Sequence, residues 1–204
     1  MTLGGQVLFQ KEYVVIAPIT VKRAGPAIVP FLSLPEVKEQ CSIMSCDTQW
    51  DSLLLSYILA AQVEIETRLS VTLTQTEWAA SVSADDVRTG CTVSLPFGPA
   101  MDLPVTVKLS DGTELDPARY TVDSFNVPGS ITFFAGDVPS GNVLMYWYAG
   151  STDPILIPQN IVVAGKMCVA HFFAHREAVQ DTGAIEVPMA FEMLLAASSH
   201  NGMY

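Results

Sequence analysis

The stretch DSLLLSYILAAQVEIETRL, Asp51–Leu69, decides the fold. With the preceding Trp50, its apolar residues Trp50, Leu54, Tyr57, Ile58, Ala61, Ile65 and Leu69 recur at steps of 4, 3, 1, 3, 4 and 4, which is one face of a 3.6-residue period. Asp51, Gln62, Glu64, Glu66 and Arg68 lie off that face, and the pattern assigns them to solvent. The spacing predicts a long helix, capped by the side chain of Asp47 or Thr48. Just upstream, Ser33-Leu34-Pro35-Glu36 is a capping box: the Ser33 hydroxyl faces the first-turn N–H groups and the Glu36 carboxylate reaches back. Pro35 is tolerated there because a first-turn N–H has no partner inside the helix. Residues 33–70 are therefore expected to be helical.

The period changes on both sides of this segment. Residues 1–32 hold the apolar runs VVIAPITV and AIVPFL, broken by Pro18, Pro26 and Pro30 and without helical spacing. They read as an extended arm, too apolar to stay solvated, to be covered by its own domain or by a neighbouring subunit's sheet edge. From 71 to 150 the period becomes two. Val71–Trp78, Val105–Leu109, Tyr120–Val122, Ile131–Phe134 and Val143–Tyr148 alternate between turn signals at Asp111-Gly112, Pro128-Gly129 and Pro139–Gly141. Four to six short antiparallel strands are expected. Helical spacing returns at 157–179 with Ile161, Ala164, Cys168, His171, Phe172 and His175, and Gly183 follows. Val187-Pro188 opens a last helix with Phe191, Leu194 and Leu195 on one side, and 198–204 reads as a free tail. The predicted class is α+β: two N-terminal and two C-terminal helices (33–70 and 157–197), an antiparallel β insertion (71–150), and an extended arm.

Composition narrows the function. The 204 residues are 50% hydrophobic and 15% charged, enough apolar surface for a packed core. Twenty-one acidic against ten basic residues give a net charge of -11, unfavourable for binding phosphate backbones. The charge is uneven: residues 1–33 carry a net +2 from Lys11, Lys22 and Arg23 against Glu12. No stretch reaches the roughly 20 apolar residues of a membrane span, and MTLGGQVLFQ lacks a signal-peptide pattern. A soluble intracellular chain without membrane contact is expected, its four cysteines (Cys41, Cys46, Cys91, Cys168) free thiols.

Catalytic and metal patterns are weak. His171 and His175, four apart in HFFAHRE, could share a helix face and grip a metal, but the glutamate of HExxH is missing and His200 is remote. A structural role is the stronger reading, with Arg176 and Glu177 pairing near the helix end. Cys41 and Cys46 lack partners in metal-binding register and read as buried or semi-buried thiols. There is no GxSxG, GxGxxG or GxxxxGK[ST], and Asp85, Asp86 and Asp102 lack calcium-loop spacing and read as solvated turns. No catalytic, cofactor or metal residue is assigned.

Five segments, in order, resemble one family. Phe31–Lys38 (FLSLPEVK) is similar to its opening helix, Asp51–Leu69 to its signature helix, and Leu73–Trp78 (LTQTEW) to its following strand. Pro158–Glu177, ending AHFFAHRE, resembles its penultimate helix, and Val187-Pro188 with Leu194-Leu195 its close. The family is that of the head–tail adaptor, or connector, proteins of long-tailed bacteriophages and gene-transfer-agent-like particles, in the longer branch with a β-rich insertion. The likeness covers about residues 30–197. The arm lies outside it, and the basic residue that follows the final Leu-Leu in the family is replaced by Ala196–His200.

The resemblance implies a non-enzymatic virion protein, assembled in the host cytoplasm and located in the neck. It implies a dodecameric ring under the portal protein that extends the DNA channel and seats a stopper or tail-completion protein. An acidic wall suits non-specific passage of double-stranded DNA, because it does not hold phosphates. By the same resemblance Met189–Tyr204 is the portal anchor, with Phe191, Leu194, Leu195 and Tyr204 as contacts. The arm's Val14, Val15, Ile16, Ile28 and Val29 are candidates for subunit or neck-protein contact. Two alternatives remain: another neck or tail-completion protein, or a monomeric ligand-binding domain with a pocket lined by Phe134, Tyr146 and Trp147.

Overall fold

The structure, a computed structural model, describes residues 19–25, 29–98, 105–126, 128–175 and 189–200. The fold is mixed α+β, with a β region inserted into a helical unit. Among the described residues the helices are α1 (Leu34–Gln40), α2 (Asp51–Leu69), α3 (Ala84–Thr89), α4 (Gln159–Ala174) and α5 (Met189–His200). The strands are β1 (Thr20–Arg23), β2 (Thr76–Ser83), β3 (Thr92–Leu95), β4 (Thr106–Lys108), β5 (Tyr120–Asp123), β6 (Gly129–Phe133) and β7 (Asn142–Ala149).

The inner ridge of α2 is the one its period specifies. Leu54, Ile58, Ala61 and Ile65 are fully buried against Ile161, Ala164, Cys168 and Val169 of α4 and Phe191 and Leu195 of α5. Each large aliphatic taken out of water there contributes about 1.5–3 kcal/mol. Trp50 meets Phe173 edge-on at 5.7 Å, and Tyr57 meets Phe172 at 5.8 Å, closing the α2–α4 seam. The start of α2 differs from expectation. Its cap position is Trp50, whose side chain does not cap the helix N–H groups, and Asp47 folds back on the Gln49 N–H at 3.1 Å. The helix is anchored instead by the buried Lys38 ammonium, which reaches the Asp47 carbonyl at 2.7 Å, the Ser45 carbonyl at 3.3 Å and the Asp51 carboxylate at 2.6 Å. Asp51 also suits the positive end of the helix dipole. In α1, Glu36 accepts from both the Ser33 N–H (3.2 Å) and hydroxyl (2.6 Å), the reaching-back half of the capping box.

The β region forms two antiparallel sheets, ordered β1-β2-β7-β4 and β3-β6-β5. Strand β7 alternates strictly: Val143, Met145, Trp147 and Ala149 are buried while Leu144, Tyr146 and Tyr148 face the other way. The inward set shares one core with Val82, Val93, Leu95, Val107, Ile131 and Phe133 from both sheets. Six strands thus lie between α2 and α4, the upper end of the expected range. The Asp111-Gly112 turn is present, with Gly112 at φ +86, and the hairpin beyond it is short, one bridge from Lys108 to Glu114 on the edge of β4 away from β7.

Several boundaries are corrected. Asp85 and Asp86 are no solvated turn: they occupy the first turn of α3, where acids offset the helix dipole and the Ser83 hydroxyl caps the Asp85 N–H at 3.2 Å. Helix α4 ends at Ala174, and Arg176, Glu177 and Gly183 lie outside the described residues. Helix α5 runs to His200, so the first residues assigned to a free tail are helical.

The arm divides. Thr20–Arg23 adds as an edge strand to β2 of its own chain, with Val21 opposite Ala80 and Arg23 opposite Trp78. Phe31 and Leu32 are buried in the helical core. The Phe31 ring lies directly on the backbone of α4 at Gly165, where a Cβ would overlap the ring. Gly165→Ala improves helix propensity by up to about 1 kcal/mol, but the overlap costs about 1–3 kcal/mol. We expect net destabilisation in chemical denaturation, with Phe31→Leu in the same chain recovering part of it; an unchanged midpoint for Gly165→Ala would show that Phe31 is not seated there.

Candidate assembly interface

A polar joint connects the helical unit to the sheets. Gln62 and Glu66, assigned to solvent by the sequence pattern, are 2% and 6% exposed. One Glu66 oxygen accepts from Arg23 of β1 at 2.8 Å. The other accepts from the Leu73 N–H at 2.9 Å and the Gln62 amide at 3.1 Å. The same Gln62 amide donates to Thr74 at 2.8 Å, while its carbonyl faces the Phe31 N–H at 3.4 Å. Three donors, one from the backbone and two from side chains, thus converge on this buried carboxylate. Beside it Trp78 stacks on Phe97 at 4.3 Å, with the Arg23 guanidinium 5.4 Å over the indole. Phe97 is held at φ +65, a conformation that costs energy for a residue with a Cβ, and its carbonyl accepts from the Thr72 hydroxyl at 2.8 Å.

With Gln62 and Glu66 turned inward, the outer side of α2 is left without charge along most of its length. Ser52, Leu55, Ser56, Leu59, Ala60, Val63 and Thr67 are exposed. Leu55, Leu59 and Val63, spaced by four, expose 40%, 44% and 53% of their surfaces along one ridge. The ridge ends at a hollow of about 80 Å³ lined by Val63, Thr67, Val71, Trp78 and Phe97 and by the Arg23–Glu66 ion pair. Charge returns only at the C-terminal end, where Arg68 pairs with Glu64 and with Glu192 of α5.

Of the expected portal contacts, Phe191 and Leu195 turn inward: both are buried against α2 and α4, because α5 needs an apolar stripe to dock on its own chain. Leu194 is partly buried, and the outward apolar side chains of α5 are Met189 and Met193. Tyr204 and the arm residues Val14, Val15, Ile16 and Ile28 lie outside the described residues, and Val29 is exposed. The sequence reading missed the exposed Phe125, Ile155 and Leu156. Isolated apolar residues in turns carry no period to reveal them.

The remaining candidates do not converge. Tyr146 and Trp147 point to opposite faces of β7, Trp147 is core and Phe134 is half-exposed, so the three line no common pocket. Among the described residues no three His, Cys, Asp or Glu side chains come together. Burial pushes the Cys91 and Cys168 thiols up to about 11, while Cys46, expected to be shielded, is exposed. The His171 and His175 rings lie 4.5 Å apart at the end of α4, with His175 Nδ1 3.0 Å from the His171 carbonyl. Partial burial, then the neighbouring His175, holds His171 below the ordinary histidine value.

No family model and no curated protein matches the chain. In fold it is similar to a chain in the neck of an empty gene transfer agent particle computed with C6 symmetry, with a TM-score of 0.70 and 18% identity over 87% of this chain and 94% of that one. A chain in the neck of the native particle computed with C12 symmetry gives 0.65 and 18% over 86% and 94%. One from the native gene transfer agent virion gives 0.65 and 18% over 85% and 94%.

Two outcomes are expected. Glu66→Ala leaves the Leu73 N–H and the Gln62 amide short of an acceptor and should cost about 3 kcal/mol in urea denaturation; Arg23→Ala leaves the buried carboxylate without its cation and should cost a similar amount. Losses under about 1 kcal/mol in both variants, the range of an exposed ion pair, would contradict the joint. In an NMR titration His171 should titrate below the ordinary histidine pKa, and His175→Gln should move it upward. Its native state then binds fewer protons than the unfolded chain. The contribution to stability is full above the ordinary value and lost as pH falls through the lowered one.

Proposed function

We propose that the chain is a non-enzymatic structural component of the neck of a phage-like or gene-transfer-agent-like particle: a head–tail adaptor that assembles as a dodecameric ring under the portal. The ring extends the DNA channel and offers a platform to the stopper or tail-completion protein. One observation carries the reading. The fold likeness covers 87% of this chain and 94% of the gene transfer agent neck chain, more than the helical unit or the β insertion alone could supply. The five family-like segments Phe31–Lys38, Asp51–Leu69, Leu73–Trp78, Pro158–Glu177 and Val187–Leu195 agree with it. So does a net charge of -11, which favours a wall that repels rather than binds passing duplex.

The ends of the chain take separate roles in this reading. The outer edge of α5, through Met189, Met193 and Leu194, together with Tyr204, faces the portal. The residues before β1, with Val14, Val15 and Ile16, and Ile28 and Val29 beyond it meet a neighbouring subunit or the next neck protein. Because β1, Phe31 and Leu32 belong to the chain's own core, the separable part of the arm ends near residue 18.

Acidic subunits repel one another, so a monomer or weak oligomer is expected alone and a ring on a portal template. Electron microscopy of the protein mixed with the portal of the same particle should show an added ring around the channel; portal particles without added density would refute the adaptor reading. Deleting residues 1–18 should preserve the cooperative thermal transition while weakening the ring or its join to the next protein. Loss of that transition would place those residues in the core.

A further inference from the structure

We infer that the uncharged outer ridge of α2, Leu55, Leu59 and Val63 with the hollow at its end, is the seat of a second copy of this chain. The inference rests on the ring reading and names the surface through which neighbours join. A helix with one face in the core normally turns charge toward water. Here the charged and amide groups that the sequence provides, Gln62 and Glu66, are used in the buried joint, and Ser52, Leu55, Ser56, Leu59, Ala60, Val63 and Thr67 are left outside. Single exposed aliphatics need no explanation. Three on one ridge at steps of four, running into a hollow of about 80 Å³, form a continuous apolar strip with an anchoring pocket at its end.

Charge selects the occupant. A contact repeated between identical chains joins two bodies that each carry -11, so it has to lie where acidic side chains are absent. The α2 ridge meets that condition from Ser52 to Val63, with Glu64 drawn aside to Arg68, and the two charges lining the hollow, Arg23 and Glu66, neutralise each other at 2.8 Å. The ridge itself presents no cation to a phosphate backbone, the hollow's Arg23 is already paired, and an acidic chain is repelled by anionic headgroups. A cyclic assembly repeats a head-to-tail contact, so the neighbour lays a different surface of its own along the ridge and places one apolar side chain in the hollow beside Trp78 and Phe97. The strain at Phe97 then has a use: its left-handed backbone sets the ring against Trp78 and forms one wall of the hollow.

The test compares wild type with Leu59→Glu, Ser56→Arg and, as a control on an unrelated exposed apolar residue, Phe125→Glu. Sedimentation velocity of the free protein in about 0.5 M salt, where charge repulsion is screened, should show self-association weakened by about tenfold or more in both ridge variants. It should be unchanged in Phe125→Glu. On the portal, wild type and Phe125→Glu should complete the ring, and the ridge variants should bind as scattered single copies. Ser56→Arg keeps the test valid if Leu59→Glu loses its thermal transition, since Ser56 contributes nothing to the core. Complete rings of folded ridge variants would overturn the ridge while leaving the adaptor reading intact. Failure of wild type to form any ring would overturn both.

Discussion

The Glu66 carboxylate, closed in by Arg23, Gln62 and the Leu73 N–H, is the constraint on which the rest of the molecule depends. It sits where three chain segments meet: the strand that follows the arm, the long helix, and the first residues leaving that helix for the β insertion. An apolar cluster at this place would tolerate sliding. A buried carboxylate with directional partners does not, since any shift strands a charge or an N–H in a dry site. The joint therefore sets the angle at which the sheets leave the helices. Close packing at Gly150, whose Cβ would strike the Thr74 carbonyl, holds the same corner from the other side.

The two faces of α2 explain why the helix could be found from sequence and its outer surface could not. The inner ridge follows a strict period, and Leu54, Ile58, Ala61 and Ile65 are buried as that period requires. Periodicity identifies one face and leaves the other as a remainder, so Gln62 and Glu66 passed for solvated groups. Their burial depends on Arg23 and Thr74, which no local pattern connects to them. Leu55, Leu59 and Val63 were the complementary miss, because the period names the buried stripe and leaves the apolar residues off it unassigned. The alternating strands β4 to β7 were legible. Strand β1 was legible only as part of an extended, strand-like run with no period to set its bounds or its partner, and α3 was hidden by two aspartates that read equally well as a turn. Phe191 and Leu195 were grouped on one face, and the structure buries that face against α2 and α4 of their own chain.

Two apolar cores with different logics share this chain. The sheet core is closed on itself, with inner faces of both sheets interdigitating and tyrosines outside. The helical core is complete inside but leaves α2 apolar on its far side. If the proposed contact forms there, the longest helix would give it a fixed curvature and length, which suits a symmetric closed assembly better than a loop would.

The insertion of the sheets between α2 and α4 also orders events in time. Helix α2 leaves the ribosome with both its faces apolar, and the residues that cover its inner face, Ile161 to Leu195, follow only after the whole β region. At translation rates of about 5–20 residues per second, that delay is roughly 5–20 seconds. The sheets have a core of their own and are positioned to fold within that interval, bringing Thr74 to Gln62 before α4 exists. The long helix is thus most vulnerable to unwanted association during synthesis, and the inserted domain shortens that exposure by pinning its C-terminal half first.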